Sequence, residues 1–130
     1  MALQMKRLSG PDNFAVADTA EDLYTVPRNT GYTTTTVIKE IVLCNTAASS
    51  ATVTLWLKPQ GDTSATPVSV ATNHIFINSL TLAANETVTL STSLVLTNSD
   101  NTAGDTYSDK IIGKASATTV NYMINGYEEY

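Results

Sequence analysis

The sequence carries one histidine and one cysteine, and neither stands in a setting that catalysis would use. His74 opens a strand-like run, and a lone imidazole with no Ser or Cys nucleophile in a recognisable setting cannot be assigned as a general base. No G-x-S-x-G, P-loop or H-E-x-x-H pattern occurs. Cys44 closes the apolar run Ile41-Val42-Leu43-Cys44, where a free thiol behaves as a small hydrophobe. A single cysteine also excludes an internal disulfide and a Cys-rich zinc site. Paired carboxylates could hydrolyse a glycosidic bond, but Glu128 and Glu129 fall beyond the last expected strand, where both should be solvated. Asp100, Asp105 and Asp109 share one polar loop whose spacing does not match an EF-hand. Asn85-Glu86-Thr87 fits a glycosylation sequon; without a secretory route it reads as a coincidence in a Thr- and Asn-rich chain. The expectation is therefore not an enzyme, with no catalytic residues, no metal and no cofactor.

Charge narrows the field of partners. Seven basic residues against twelve acidic give a net charge of −5 over 130 residues, so no basic field attracts phosphate and nucleic acid is a poor partner. No apolar stretch approaches the roughly 20 residues of a membrane helix. Lys6 and Arg7 precede Leu8-Ser9-Gly10-Pro11 rather than an apolar run, so no secretory leader is read. A chain made soluble in a cytoplasm is expected.

The elements that must position any functional surface are strands. Charged residues make up only 15%, and Thr, Ser and Asn fill the space they leave; β-branched Thr suits a pleated surface better than a helix. Leu23-Tyr24-Thr25-Val26 alternates and Pro27 ends it by removing a donor. A long strand is read from Tyr32 to Cys44, with Val37 to Cys44 apolar on both faces except at Lys39 and Glu40. In Ala51 to Lys58, Val53, Leu55 and Leu57 share one face, with Trp56 on the other. His74 to Leu80 sets Ile75 and Ile77 against His74, Phe76 and Asn78. Short strands follow at Thr87 to Leu90, Leu94 to Leu96 and Lys110 to Ser116. The last, Thr119 to Tyr127, sets Val120, Tyr122 and Ile124 against Asn121, Met123 and Asn125. About eight short strands with polar turns and no credible helix imply an all-β fold: an antiparallel β-sandwich, jelly-roll-like or Ig-like. Residues 1–22, irregular and holding Gly10 and Pro11, read as an extended N-terminal arm or a first edge strand, with the sandwich domain over 23–130.

Two surfaces offer binding. The arm carries Leu3, Met5, Lys6, Arg7, Leu8 and Phe14, whose apolar members either pack back on the sandwich or dock on a partner. Exposed aromatics are expected at Trp56, Tyr127 and Tyr130, since large amphipathic rings favour interfaces; for Trp56 a core position on the second face is as good a reading. Such rings on a jelly roll would also suit a carbohydrate-binding module.

The stretch Leu23-Tyr24-Thr25-Val26-Pro27, followed by Ile41-Val42-Leu43-Cys44-Asn45-Thr46 and later Leu82-Ala83-Ala84-Asn85-Glu86-Thr87-Val88-Thr89-Leu90, resembles a group of small tailed-bacteriophage virion structural proteins. Lys6-Arg7-Leu8 with Gly10-Pro11 is similar to their N-termini. The resemblance covers most of the chain and its motifs are structural. It implies a virion building block, with the major capsid protein or other virion proteins as partners. From it, together with the arm and the absence of an active site, a head decoration (cement) protein is expected, homo-oligomeric and best read as a trimer, with a tail, neck or baseplate part as the alternative. The virion, assembled in a bacterial cytoplasm, is the expected location.

Overall fold

The computed structural model describes residues 4–29, 31–59, 74–99 and 108–129. Its elements are β1 (Lys6–Asn13), β2 (Glu21–Thr25), β3 (Thr34–Asn45), β4 (Ala51–Lys58), β5 (Ile75–Leu82), β6 (Thr87–Asn98), β7 (Lys110–Ala115) and β8 (Val120–Glu129). They form two four-stranded antiparallel sheets, ordered β1-β8-β3-β6 and β2-β7-β4-β5. The fold is all-β, and this order is that of a jelly roll: β1 to β4 alternate between the sheets, β5 stays beside β4, and β6 to β8 alternate again. β1 lies against β2 at one side of the sandwich, so β5 and β6 line the opposite side.

Period-two alternation supplies the core. Val53 and Leu55 on β4, Ile41 and Leu43 on β3, and Ile124 on β8 are fully buried between the sheets, together with Phe14, Leu82, Leu96 and Ile111. On β3 the expectation of two apolar faces gives way to something more economical. Ile38 and Ile41 both point inward, three residues apart, because a register shift between Ile38 and Glu40 interrupts the pairing with β6 and β8 alike. A bulge resets which face each residue takes. Beyond it, Val42 and Cys44 stand on the outer, half-buried face.

A second irregularity reverses the expected faces of β5. Its register slips between the Leu55↔Ile77 and Trp56↔Ile75 pairs, so Phe76 and Ile77 both reach the core while Ile75 packs with Trp56, Ala20 and Ile112 on the outer face of the second sheet. The two short strands expected at Thr87 and Leu94 are one twelve-residue strand, β6. Ser91-Thr92-Ser93, which looked like a break, continues the strand, with Thr92 donating its hydroxyl to the Ile38 carbonyl at 2.6 Å.

Residues 6–13 are edge strand β1, paired with β8, and the boundary expected after residue 22 falls inside β2. The chain from Lys6 onward is thus part of the sandwich rather than an arm leading to it.

One end of the sandwich is tied by a polar residue. Asn45, fully buried, donates its amide to the carbonyls of Ser49 (2.7 Å), Leu82 (3.4 Å) and Ala83 (3.2 Å). Its oxygen accepts from the Ala47 N–H and the Thr119 hydroxyl. Buried amides of this kind must be satisfied, and here satisfaction fixes three turns to one side chain. The Asn45-Thr46 and Leu82-Ala83 segments therefore meet at this point.

Candidate interaction surface

The residues singled out from the sequence do not form one patch. Met5 is exposed (47%) and so are Lys6 and Arg7, on or beside the β1 edge. Leu8 packs half-buried on the core. Phe14 is wholly buried, its ring edge-on to Tyr122 at 5.5 Å and 63°. It anchors β1 to its own core and offers nothing to a partner, so the docking reading of Phe14 is corrected: its apolar area is already satisfied. Trp56 is only 8% exposed, covered by Ala20, Ile112 and Ile75. That removes a ring face on which a sugar could stack, and the core reading of Trp56 holds. Tyr127 stands half-buried on the outer face of β8, opposite Val37. Leu3 and Tyr130 lie outside the described residues, as do Asp100 and Asp105.

Glu128 corrects another expectation. It is not solvated beyond the last strand but lies within β8, its side chain 9% exposed. One oxygen accepts a 2.7 Å bond from the Tyr24 phenol and the other pairs with Lys6 at 2.8 Å. Tyr24 also meets the Thr36 hydroxyl at 2.9 Å. The carboxylate thus joins β1, β2, β3 and β8. Cys44 lines a shallow groove of about 200 Å³ with Pro11, Val42, Asn121, Tyr122 and Met123 on the outside of the first sheet. Among the described residues no three His, Cys, Asp or Glu side chains gather as a metal site would require.

What the sequence reading missed is the pattern of the four sheet edges. β1 is blunted by Lys6, Arg7, Pro11 and two register shifts. β2 has five residues, two of them acidic, and one register shift. β5 carries two register shifts and the left-handed Ser79 (φ 49°). These are the devices by which edges avoid pairing. β6 has one register shift, between the Ile38↔Leu94 and Glu40↔Ser91 pairs, but its exposure alternates through it without a break, and Thr-Val-Thr-Leu-Ser-Thr-Ser-Leu-Val-Leu-Thr-Asn holds no charge, no proline and no glycine. The signal was present in the sequence, as a long uncharged run between Glu86 and Asp100.

No protein-family model matches the chain, and neither do any curated proteins or solved structures.

Proposed function

We propose that the protein is a non-enzymatic bacteriophage virion structural protein that decorates the assembled head. The observation that carries the reading is the jelly-roll strand order, β1-β8-β3-β6 over β2-β7-β4-β5, an architecture that viral capsid proteins use. It is a fold-level analogy; the sequence resemblance to small phage virion proteins points the same way. Because Phe14 is buried, this reading assigns capsid contact to the surface around the β1 edge, where Met5 and Arg7 are exposed, instead of to an arm. Repetition of the head lattice lets each copy bind weakly, because many contacts hold together what one would not.

The test is co-sedimentation of the purified full-length chain with isolated heads lacking it. Saturable binding, weakened by Met5→Asp together with Arg7→Glu, is expected. Binding to isolated tails and not to heads would favour the neck, tail or baseplate alternative, and binding to neither would remove the virion role.

A further inference from the structure

β6 is an edge with a defined free length. At its C-terminal end the Thr97 N–H bonds the Asp109 carboxylate (2.9 Å) and the Thr97 carbonyl accepts from the Asp109 N–H (2.9 Å), which closes the edge there. At the other end Glu86 is held in the turn from β5, its N–H on the Ala83 carbonyl and its carboxylate on the Ala83 N–H. Between them, from Val88 to Leu96, no described residue other than those of β3 bonds the backbone of β6. Side chains and backbone groups alternate together along a strand. Residues 89, 91, 93 and 95, whose side chains point outward, therefore aim their N–H and C=O groups away from β3, as Thr97 does.

The apolar side chains beside this edge are also incompletely covered. Val88, Leu90 and Leu94 on β6, and Phe76, Ile77 and Leu80 on β5, touch the core yet stay only partly buried. They pack against one core, on the two edge strands opposite β1 and β2.

We infer that β6 pairs antiparallel with β6 of a second copy, about a two-fold axis at Thr92, joining two four-stranded sheets into one. Thr92 is the midpoint of the free segment Val88 to Leu96, and the strand is self-complementary about it. Inward, Val88 meets Leu96, Leu90 meets Leu94 and Thr92 meets itself. Outward, Thr89 meets Val95 and Ser91 meets Ser93. No other alignment uses the whole free edge while keeping inward residues opposite inward ones, since a one-residue slip would turn every side chain to the wrong face. Each chain carries a net charge of −5, but this edge contributes none of it, so like charges do not meet at the contact. About 30 Å of strand and roughly 20 Å of sandwich thickness give ~600 Å² per copy, or ~1,200 Å² in total, which reaches the range of specific dimers. An antiparallel strand pair of identical chains has two-fold symmetry, so this contact makes a dimer rather than the trimer expected from the sequence. It stands independently of the virion reading.

Sedimentation equilibrium of the full chain tests the inference, with circular dichroism to verify folding. The wild type should sediment at twice the 13.8 kDa chain mass. Thr89→Lys with Val95→Lys places like charges opposite one another twice across the axis and should yield a folded monomer. Thr89→Lys with Val95→Glu places opposite charges there and should restore the dimer. In the unmodified chain, the Thr89, Ser91, Ser93 and Val95 amides should exchange more slowly as protein concentration rises. A monomeric or trimeric wild type, a dimer indifferent to the Lys/Lys change, a Lys/Glu variant that stays monomeric, or exchange at these amides independent of concentration would each overturn it.

Discussion

The phenol of Tyr24 on β2 donates a 2.7 Å hydrogen bond to the Glu128 carboxylate on β8, a link between opposite sheets spanning 104 positions of sequence. Lys6 holds the second oxygen of the same carboxylate from the β1 edge, and the fully buried Thr36 hydroxyl meets the phenol. Four strands are fastened at one side chain, so this end of the sandwich depends on polar contacts as the other depends on Asn45.

Tyr24→Phe should therefore destabilise the fold by about 1–3 kcal/mol, because a nearly buried carboxylate and a buried hydroxyl each lose a partner while the ring's packing is retained. Urea denaturation midpoints of the two proteins measure the difference. Lys6→Ala, which removes a half-exposed ammonium, should cost less, about 1 kcal/mol or under.

Asn45 should separate a missing partner from a wrong one. Asn45→Ala leaves its backbone partners without the amide, costing about 2 kcal/mol or more. Asn45→Asp should be worse at neutral pH, since a carboxylate replaces a donor that faces three carbonyl oxygens. Acidification protonates that carboxylate and restores one donor, so the gap between the two variants should narrow as pH falls. Thermal melts across an acidic series would show it.

Gly113 on β7 makes room for the anchor of β1. A methyl group there would stand 2.6 Å from Leu23 Cδ1, 3.0 Å from Phe14 Cε1 and 3.1 Å from Leu55 Cδ2. Gly113→Ala should cost about 1–3 kcal/mol through overpacking, and Leu23→Val in the same chain should recover part of it, a non-additivity that a double-mutant cycle measures. Gly126→Ala offers no such rescue, because its methyl group would press on the Val37 carbonyl oxygen of the neighbouring strand.

Tyr122 supplies an alkaline limit. Burial raises its phenol above the ordinary value of 10.0, Asp12 adds to the rise, and a hydrogen bond with Ser9 opposes it. The folded state therefore holds this proton more tightly than the unfolded chain. Its contribution is fully present below pH 10.0 and is lost as pH climbs from there through the raised folded value. Stability should fall more steeply above that point in the wild type than in Tyr122→Phe, as read by denaturant midpoints at successive alkaline pH values.

How much of this was legible in the sequence depends on the range of the interaction. β4 and β8 alternate cleanly over Val53, Leu55 and over Tyr122, Ile124, so their inward faces could be read directly. The bulges near Lys39 and Phe76 could not, because a slipped register depends on the neighbouring strand, and they account for the misread faces of β3 and β5. Trp56 looked presentable until Ala20 and Ile75 were seen to cover it from distant segments. Glu128 likewise gains its partners from β1 and β2. Ser91-Thr92-Ser93 has the composition of a turn and the position of an edge, and only pairing with β3 distinguishes the two. Of the candidate surface residues, Met5, Lys6 and Arg7 are exposed and Phe14 is not, since its burial depends on the space that Gly113 leaves on another strand.

Quantitative mass spectrometry of purified virions, grown in cells that make this chain, tests the central proposal most directly. A copy number of the same order as the major capsid protein is the result expected of a head decoration protein. Absence of the chain from washed particles would contradict a structural place in the virion.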